Sequence, residues 1–424
     1  MRYKEYKKVD IPWLNKVPSH WEIKNVNNLF DERREKVSDK DYPPLSVTKN
    51  GILPQLENVA KSMASDNRKK VLEGDFVINS RSDRKGSSGL SSYDGSVSLI
   101  STVIKPRLGF NKFWNYLLKS NDFIEEFYRN GKGIVADLWT TNFQSMKSII
   151  LPFPQKEEQE QIARFLDWKI NEIDRLIDIK KKNISFLLKL KDRYLDYYFG
   201  NLIENNSENF SEKYIKIKYL TKIITSNSNE GKHFIGLENI ESNTGRILSK
   251  IEDLPVKNDG IDVNKNMIIF GKLRPYLAKV YEVEKESKCS SEFLVLECLN
   301  NLNSEFMKFL MLSPTFVRLV NESTYGAKMP RANTDFITSI KIKKILLQEQ
   351  IELVIKTKIF FEKHDLSIKN IQSQINNLQQ LKKSLISEVV TGKMDVRNIS
   401  IPEYDKVSDI EDDAILEENF NEEV

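Results

Sequence analysis

The chain carries one pattern twice, and this restricts it to folds made of two like halves. FWNYLLKSNDFIEEF, from Phe113, aligns with FMKFLMLSPTFVRLV, from Phe306, at an offset of 193. At that offset Tyr116 meets Phe309, Leu117 meets Leu310, Phe123 meets Phe316, Gly133 meets Gly326 and Thr141 meets Thr334. Ser120 and Ser313 sit alike as N-caps between two short helices, with Asn121 or Pro314 next, at the first helical position. Upstream, Asp75-Phe76-Val77-Ile78 matches Asn266-Met267-Ile268-Ile269 at an offset of 191, and both read as short buried strands. So long a period marks a duplicated domain with its linker, not a solenoid.

Each copy divides into a mixed part of strands and helices, then a helical part. The boundaries read as 10–150 and 151–200 for the first copy, then 212–344 and 345–395 for the second, with an acidic, disordered tail over 400–424. In the first helical part Ala163, Ile170, Ile177, Ile184, Lys191 and Tyr198 fall at heptad position a; Leu166, Ile173, Lys180, Leu187 and Tyr194 fall at d. Adding 191 places Val354, Phe361, Ile368, Ile375, Lys382 and Val389 at a, and Thr357, His364, Ile371, Leu378 and Leu385 at d. Two seams in one register predict a coiled coil of helices about 40 residues and about 60 Å long. Its apolar seam is Ile170, Ile173, Ile177, Ile184 and Leu187 against Phe361, Ile368, Ile371, Ile375, Leu378 and Leu385. The lysines at 191, 382 and 180 and the histidine at 364 read as seam residues that set register and partner choice. Gly200 and Gly392 suit helix C-termini.

A chain of 424 residues exceeds one ordinary core. Charged residues make up 30% and mean hydropathy is -0.47, no apolar run has the roughly 20 residues of a membrane helix, and the N-terminus lacks a secretory apolar stretch. A cytoplasmic protein without membrane contact is expected. Cys289 and Cys298 fit no zinc or redox spacing and read as core. His20, His233 and His364 are too scattered for a catalytic triad or metal site, and no phosphate-binding glycine loop occurs. Asp41-Tyr42-Pro43-Pro44 has the wrong order for an amino-methyltransferase motif and reads as a turn. The net charge of +4 conceals a split: Asp405–Val424 holds nine acids and one lysine, which leaves +12 on residues 1–404. A body so charged attracts a polyanion.

Two copies of one fold associate about a pseudo-twofold axis. An axis crossing the helices makes their seams antiparallel and carries the mixed domains to opposite ends. Duplex DNA offers dimeric readers the same geometry, with half-sites about a helical turn apart. The segments LPFPQKEEQEQIARFLDWKINEID and LQEQIELVIKTK through LKKSLISEVVTGKM, and the entry IPWLNKVPSHWEIKNVNNLF, resemble the conserved regions of type I restriction specificity (S) subunits. The resemblance spans about residues 10–395; the second copy departs from it with Lys343-Lys344-Ile345 in place of Pro152-Phe153-Pro154. It implies an α+β fold in which two similar mixed α/β target recognition domains are separated by two long helices forming an antiparallel coiled coil. Each domain is then expected to read half of a bipartite double-stranded DNA target. The helices fix the spacer and help dock two methyltransferase (M) subunits, which restriction/translocase (R) subunits join. S-adenosylmethionine, ATP and Mg bind those partners, so this chain is expected to be non-catalytic and free of cofactors. A coiled-coil scaffold binding only proteins, and a nuclease acting alone, remain open at this point.

Base reading needs Arg, Lys, Asn or Gln aimed into a groove, while phosphate contacts position the domain. Two loops in each copy offer such residues. After the buried strand come Arg81, Arg84 and Lys85 in copy one and Lys272, Arg274 and Tyr276 in copy two. After the short helices come Lys132 and Asn142 in copy one and Lys328, Arg331 and Asn333 in copy two. Lys49 and Asn50 are weaker candidates, and Trp114 and Trp139 read as core.

Overall fold

The structure is a computed structural model; it describes residues 2–55, 66–133, 139–204, 213–299, 301–324 and 329–406. The acidic stretch beyond residue 406 and Lys328 lie outside the described residues. The chain forms two compact units, and each long helix passes from one to the other. Among the described residues, one unit holds those up to Ile179 together with those from Gln374 to Lys406; the other holds Lys180–Ser373.

In the first unit, β1 (Phe30–Glu32), β2 (Phe76–Asn79), β3 (Ser88–Leu90) and β4 (Ser101–Pro106) form an antiparallel sheet in the order β3-β2-β4-β1. Helices α1 (Asn111–Leu118), α2 (Asn121–Arg129) and α3 (Phe143–Met146) follow. The long helix α4 (Lys156–Tyr198) then begins. The second unit repeats the plan. Strands β5 (Thr221–Ile223), β6 (Ile268–Gly271), β7 (Val280–Glu282) and β8 (Phe293–Cys298) take the order β7-β6-β8-β5, the same topology. Helices α5 (Ser304–Leu312), α6 (Pro314–Glu322) and α7 (Thr334–Ser339) lead into α8 (Leu347–Val390). Ser120 caps α2 by accepting the Phe123 N–H, and Ser313 caps α6 by accepting the Phe316 N–H.

The same glutamine staples each long helix to its mixed domain. Gln159 donates to the Pro154 carbonyl at 2.8 Å and accepts the Phe110 N–H at 2.7 Å. Gln350, 191 residues on, donates to the Asn301 and Ile345 carbonyls at 3.0 and 3.1 Å and accepts the Asn303 N–H at 2.9 Å. Both glutamines are buried, so their amides need these partners. The dipeptides Glu158-Gln159 and Glu349-Gln350 carry this staple at the same offset.

Each core also takes in the end of the other long helix. Trp21, Phe30, Trp114 and Phe123 pack with Leu166 of α4 and with Val389 and Val390 of α8. In the second unit Phe270, Phe306 and Phe316 pack with Phe361 of α8 and with Leu195 and Phe199 of α4. Within each unit the helices therefore run antiparallel. In the first, Lys382 donates to both carboxylate oxygens of Asp174, at 2.7 and 2.8 Å. In the second, His364 Nε2 donates to the Leu187 carbonyl at 2.8 Å, and Tyr194 stacks on Phe360 at 4.0 Å between centroids.

Ile170, Ile173, Ile177, Ile184 and Leu187 on α4, and Phe361, Ile368, Ile371, Ile375, Leu378 and Leu385 on α8, are buried or half-buried. Lys191 is buried in its seam position; its ammonium lies 4.8 Å over the Phe361 ring, and burial pulls its pKa down. Tyr198 departs from the expected seam. It is 39% exposed, and Leu195 and Phe199 take the buried face of that last turn. Gly392 has φ +75° just past α8, the left-handed conformation of a C-terminal glycine, whereas Gly200 begins a 3-10 turn without it. Cys289 and Cys298 are free thiols, and burial pushes each up to about 12.

Candidate nucleic-acid interface

In both units the two candidate loops, distant in sequence, meet as a short backbone ribbon. In the first, Thr141 N–H donates to the Ser80 carbonyl at 2.9 Å and Ser82 N–H to the Trp139 carbonyl at 3.1 Å, so Arg81 bridges Thr140. Lys132 bridges Thr140 from the other side. In the second, Ala332 N–H donates to the Lys272 carbonyl and Arg274 N–H to the Pro330 carbonyl, both at 2.9 Å, and Leu273 bridges Arg331. Each ribbon continues from the end of an inner sheet strand, β2 or β6, which holds it on a rigid element.

The side chains differ between the copies. Arg81 lies 3.7 Å from Asp83, and Lys85 pairs with Glu125 at 2.6 Å. Arg84 and Lys132 are exposed. In the second unit Arg274 is exposed in the left-handed conformation, φ 50° and ψ 60°, and Ala278 shares it at φ 43°. A left-handed non-glycine residue costs on the order of 1 kcal/mol, strain that the surrounding structure must offset. Tyr276 is 47% exposed. Lys272 is half-buried and its pKa is lowered, first by burial and then by Arg331. Arg331 pairs with Glu292, a residue not singled out from the sequence. Asn142 and Asn333 are exposed, but each spends its side-chain oxygen as an N-cap: Asn142 accepts the Ser145 N–H and Asn333 the Asp335 and Phe336 N–H groups. Lys49 and Asn50 lie exposed at a hairpin turn between Leu45–Thr48 and Gly51–Pro54.

Trp114 is fully buried, but Trp139 corrects the expectation that it is core. It is 39% exposed and lines a cleft of about 540 Å³ beside Ser82 and Lys85, with Trp13, Tyr128 and Arg129. The next residue, Thr140, is held in the ribbon, and this carries the indole to the surface. Among the described residues no group of three or more His, Cys, Asp or Glu is set to hold a metal ion, and no helix is long and apolar enough to cross a membrane.

No protein-family model matches the chain. It is 21% identical over 347 residues to the Escherichia coli type I restriction enzyme EcoDI specificity subunit, covering 73% of this chain and 76% of that one. Its fold matches a chain from a type I restriction-modification system with a TM-score of 0.67 at 11% identity, over 89% of this chain and 99% of the other. It matches the HsdS subunit of Thermoanaerobacter tengcongensis with a TM-score of 0.51 at 13% identity, over 89% and 98%. The duplicated α+β plan, the paired long helices and these likenesses agree: in sequence and in fold, the chain is similar to the specificity subunits of type I restriction-modification enzymes.

Proposed function

We propose that this chain is the DNA specificity subunit of a type I restriction-modification enzyme. Each mixed domain reads one half of a bipartite target, and the paired helices set the gap and dock two methyltransferase subunits. The chain itself is non-catalytic and works in the cytoplasm. S-adenosylmethionine, ATP and Mg belong to the methyltransferase subunits and to the restriction subunits that join them. The observation that carries this reading is the recurrence, in both units, of the same two-loop ribbon bearing arginine and lysine on the same inner strand. Antiparallel helix pairing inside each unit agrees with this reading, because each domain rests on the start of its own helix and the end of the other.

The test is to co-express the chain with a type I methyltransferase partner and map methylated bases across the genome. A split motif with a fixed gap is expected. A continuous motif, or methylation unchanged by adding the chain, would remove the reading.

A further inference from the structure

The second ribbon holds an opposite-charge pair at two places that are uncharged in the first. Arg331 is pinned at its backbone by the bridge to Leu273, and Ala332 N–H donates to the Lys272 carbonyl at 2.9 Å. Its guanidinium donates from Nη2 to Glu292 Oε1 at 2.5 Å. Glu292 stands immediately before β8, and its carbonyl accepts the Lys272 N–H at 2.9 Å, so both partners grow from fixed backbone. The Arg331 side chain keeps 43% of its surface and the Glu292 side chain 31%. Glu292 Oε2 is buried and has no hydrogen-bond partner among the described residues. At the matching places the first unit has Thr140, bridged to Arg81, and Ile100, just before β4.

A guanidinium uses only part of its donor fork on one carboxylate oxygen. The free edge matches guanine O6 and N7 in the major groove. The geometry points to Arg331 and Glu292 as the pair with which the second domain selects a G·C base pair in its half-site. Arg331 is the reading group. Glu292 positions it. Ile100 and Thr140 offer neither charge, so the first domain makes no such selection at its equivalent point. This inference rests on the specificity-subunit reading.

The test compares methylation maps directed by the wild-type chain, R331K and E292Q, each co-expressed with the methyltransferase. R331K keeps the charge and loses the fork, and E292Q keeps the shape and loses the charge. Both should retain the split motif and gap of the wild type. At one G·C position of one half, discrimination should fall about five- to a hundredfold. An unchanged motif in both variants, altered preference in both halves, or loss of methylation at every site in both overturns the assignment. A wild-type map without a split motif instead condemns the reading it rests on.

Discussion

Lys288 is completely buried, and its ammonium is answered by fixed acceptors: Asn227 Oδ1 at 2.9 Å, the Ser228 carbonyl at 2.6 Å and Asp262 Oδ1 at 3.0 Å. Burial alone raises the Asp262 carboxyl, but the Ser228 backbone N–H, Lys288 and the Ser228 hydroxyl outweigh it and bring it to about 2. A carboxylate whose folded pKa lies below its unfolded value stabilises the fold above the unfolded pKa, near 4. That contribution is lost as pH falls from there through about 2. D262N leaves a buried ammonium without its counter-charge, which costs roughly 3 kcal/mol or more. Denaturant unfolding of D262N against wild type should show the full deficit at pH 7, shrinking as pH approaches 2. A deficit that stays constant over that range would mean the carboxylate charge is not what holds Lys288.

At the scale of elements, the two long helices were the most legible part of the sequence and the loops the least. A 3.5-residue period survives because every a and d side chain of a paired helix meets the same neighbour, the other helix. Ile375 sits at a and is 4% exposed, whereas Leu381, on the same helix, is 54% exposed. I375A should cost about 2–5 kcal/mol by leaving a cavity, and L381A should stay within about 0.5 kcal/mol. Thermal unfolding of the two variants measures the difference directly, and equal losses would refute the seam. The register failed at Tyr198 because the last turn of α4 no longer faces α8. Phe199 packs there on Phe306 and Phe309 of α5, at 5.5 and 5.7 Å between centroids, and a periodic pattern carries no record of that change of neighbour. The candidate loops were found from their charged and polar side chains, but their pairing was not. Arg81 and Thr140, like Leu273 and Arg331, are far apart in the chain and joined by backbone groups, which every sequence possesses. Glu292 escaped notice for the same reason: one acid at the start of a strand acquires meaning only when Arg331 is folded onto it. Asn142 and Asn333 show the converse, since a residue type suited to base reading is equally suited to capping a helix.

At the scale of the molecule, charge separates a DNA reader from a protein scaffold. Arg81, Arg84, Lys132, Lys272 and Arg274 are at least partly exposed on the two ribbons and their flanks, while Lys85 and Arg331 are engaged by Glu125 and Glu292. With about five phosphate contacts the logarithm of affinity should fall with the logarithm of salt at a slope near -4.5, a loss of several hundredfold between 50 and 200 mM. The nine acids from Asp405 to Val424 oppose the +12 of the preceding residues. A chain ending at Tyr404 should therefore bind any duplex more tightly at 50 mM salt. Screening shortens the reach of the acids to less than about 10 Å above 0.1 M, so most of that gain should vanish at 200 mM. The preference for the split target over unrelated DNA should not change, because a change of net charge alone acts through the phosphates and shifts all duplexes alike. Titrating labelled duplexes at the two salt concentrations with both chains, in complex with the methyltransferase partner, decides the matter. A flat salt response would leave the ribbons with no polyanion to bind, whereas a tail deletion that changed the preferred sequence would place the acids at the base-reading surface itself.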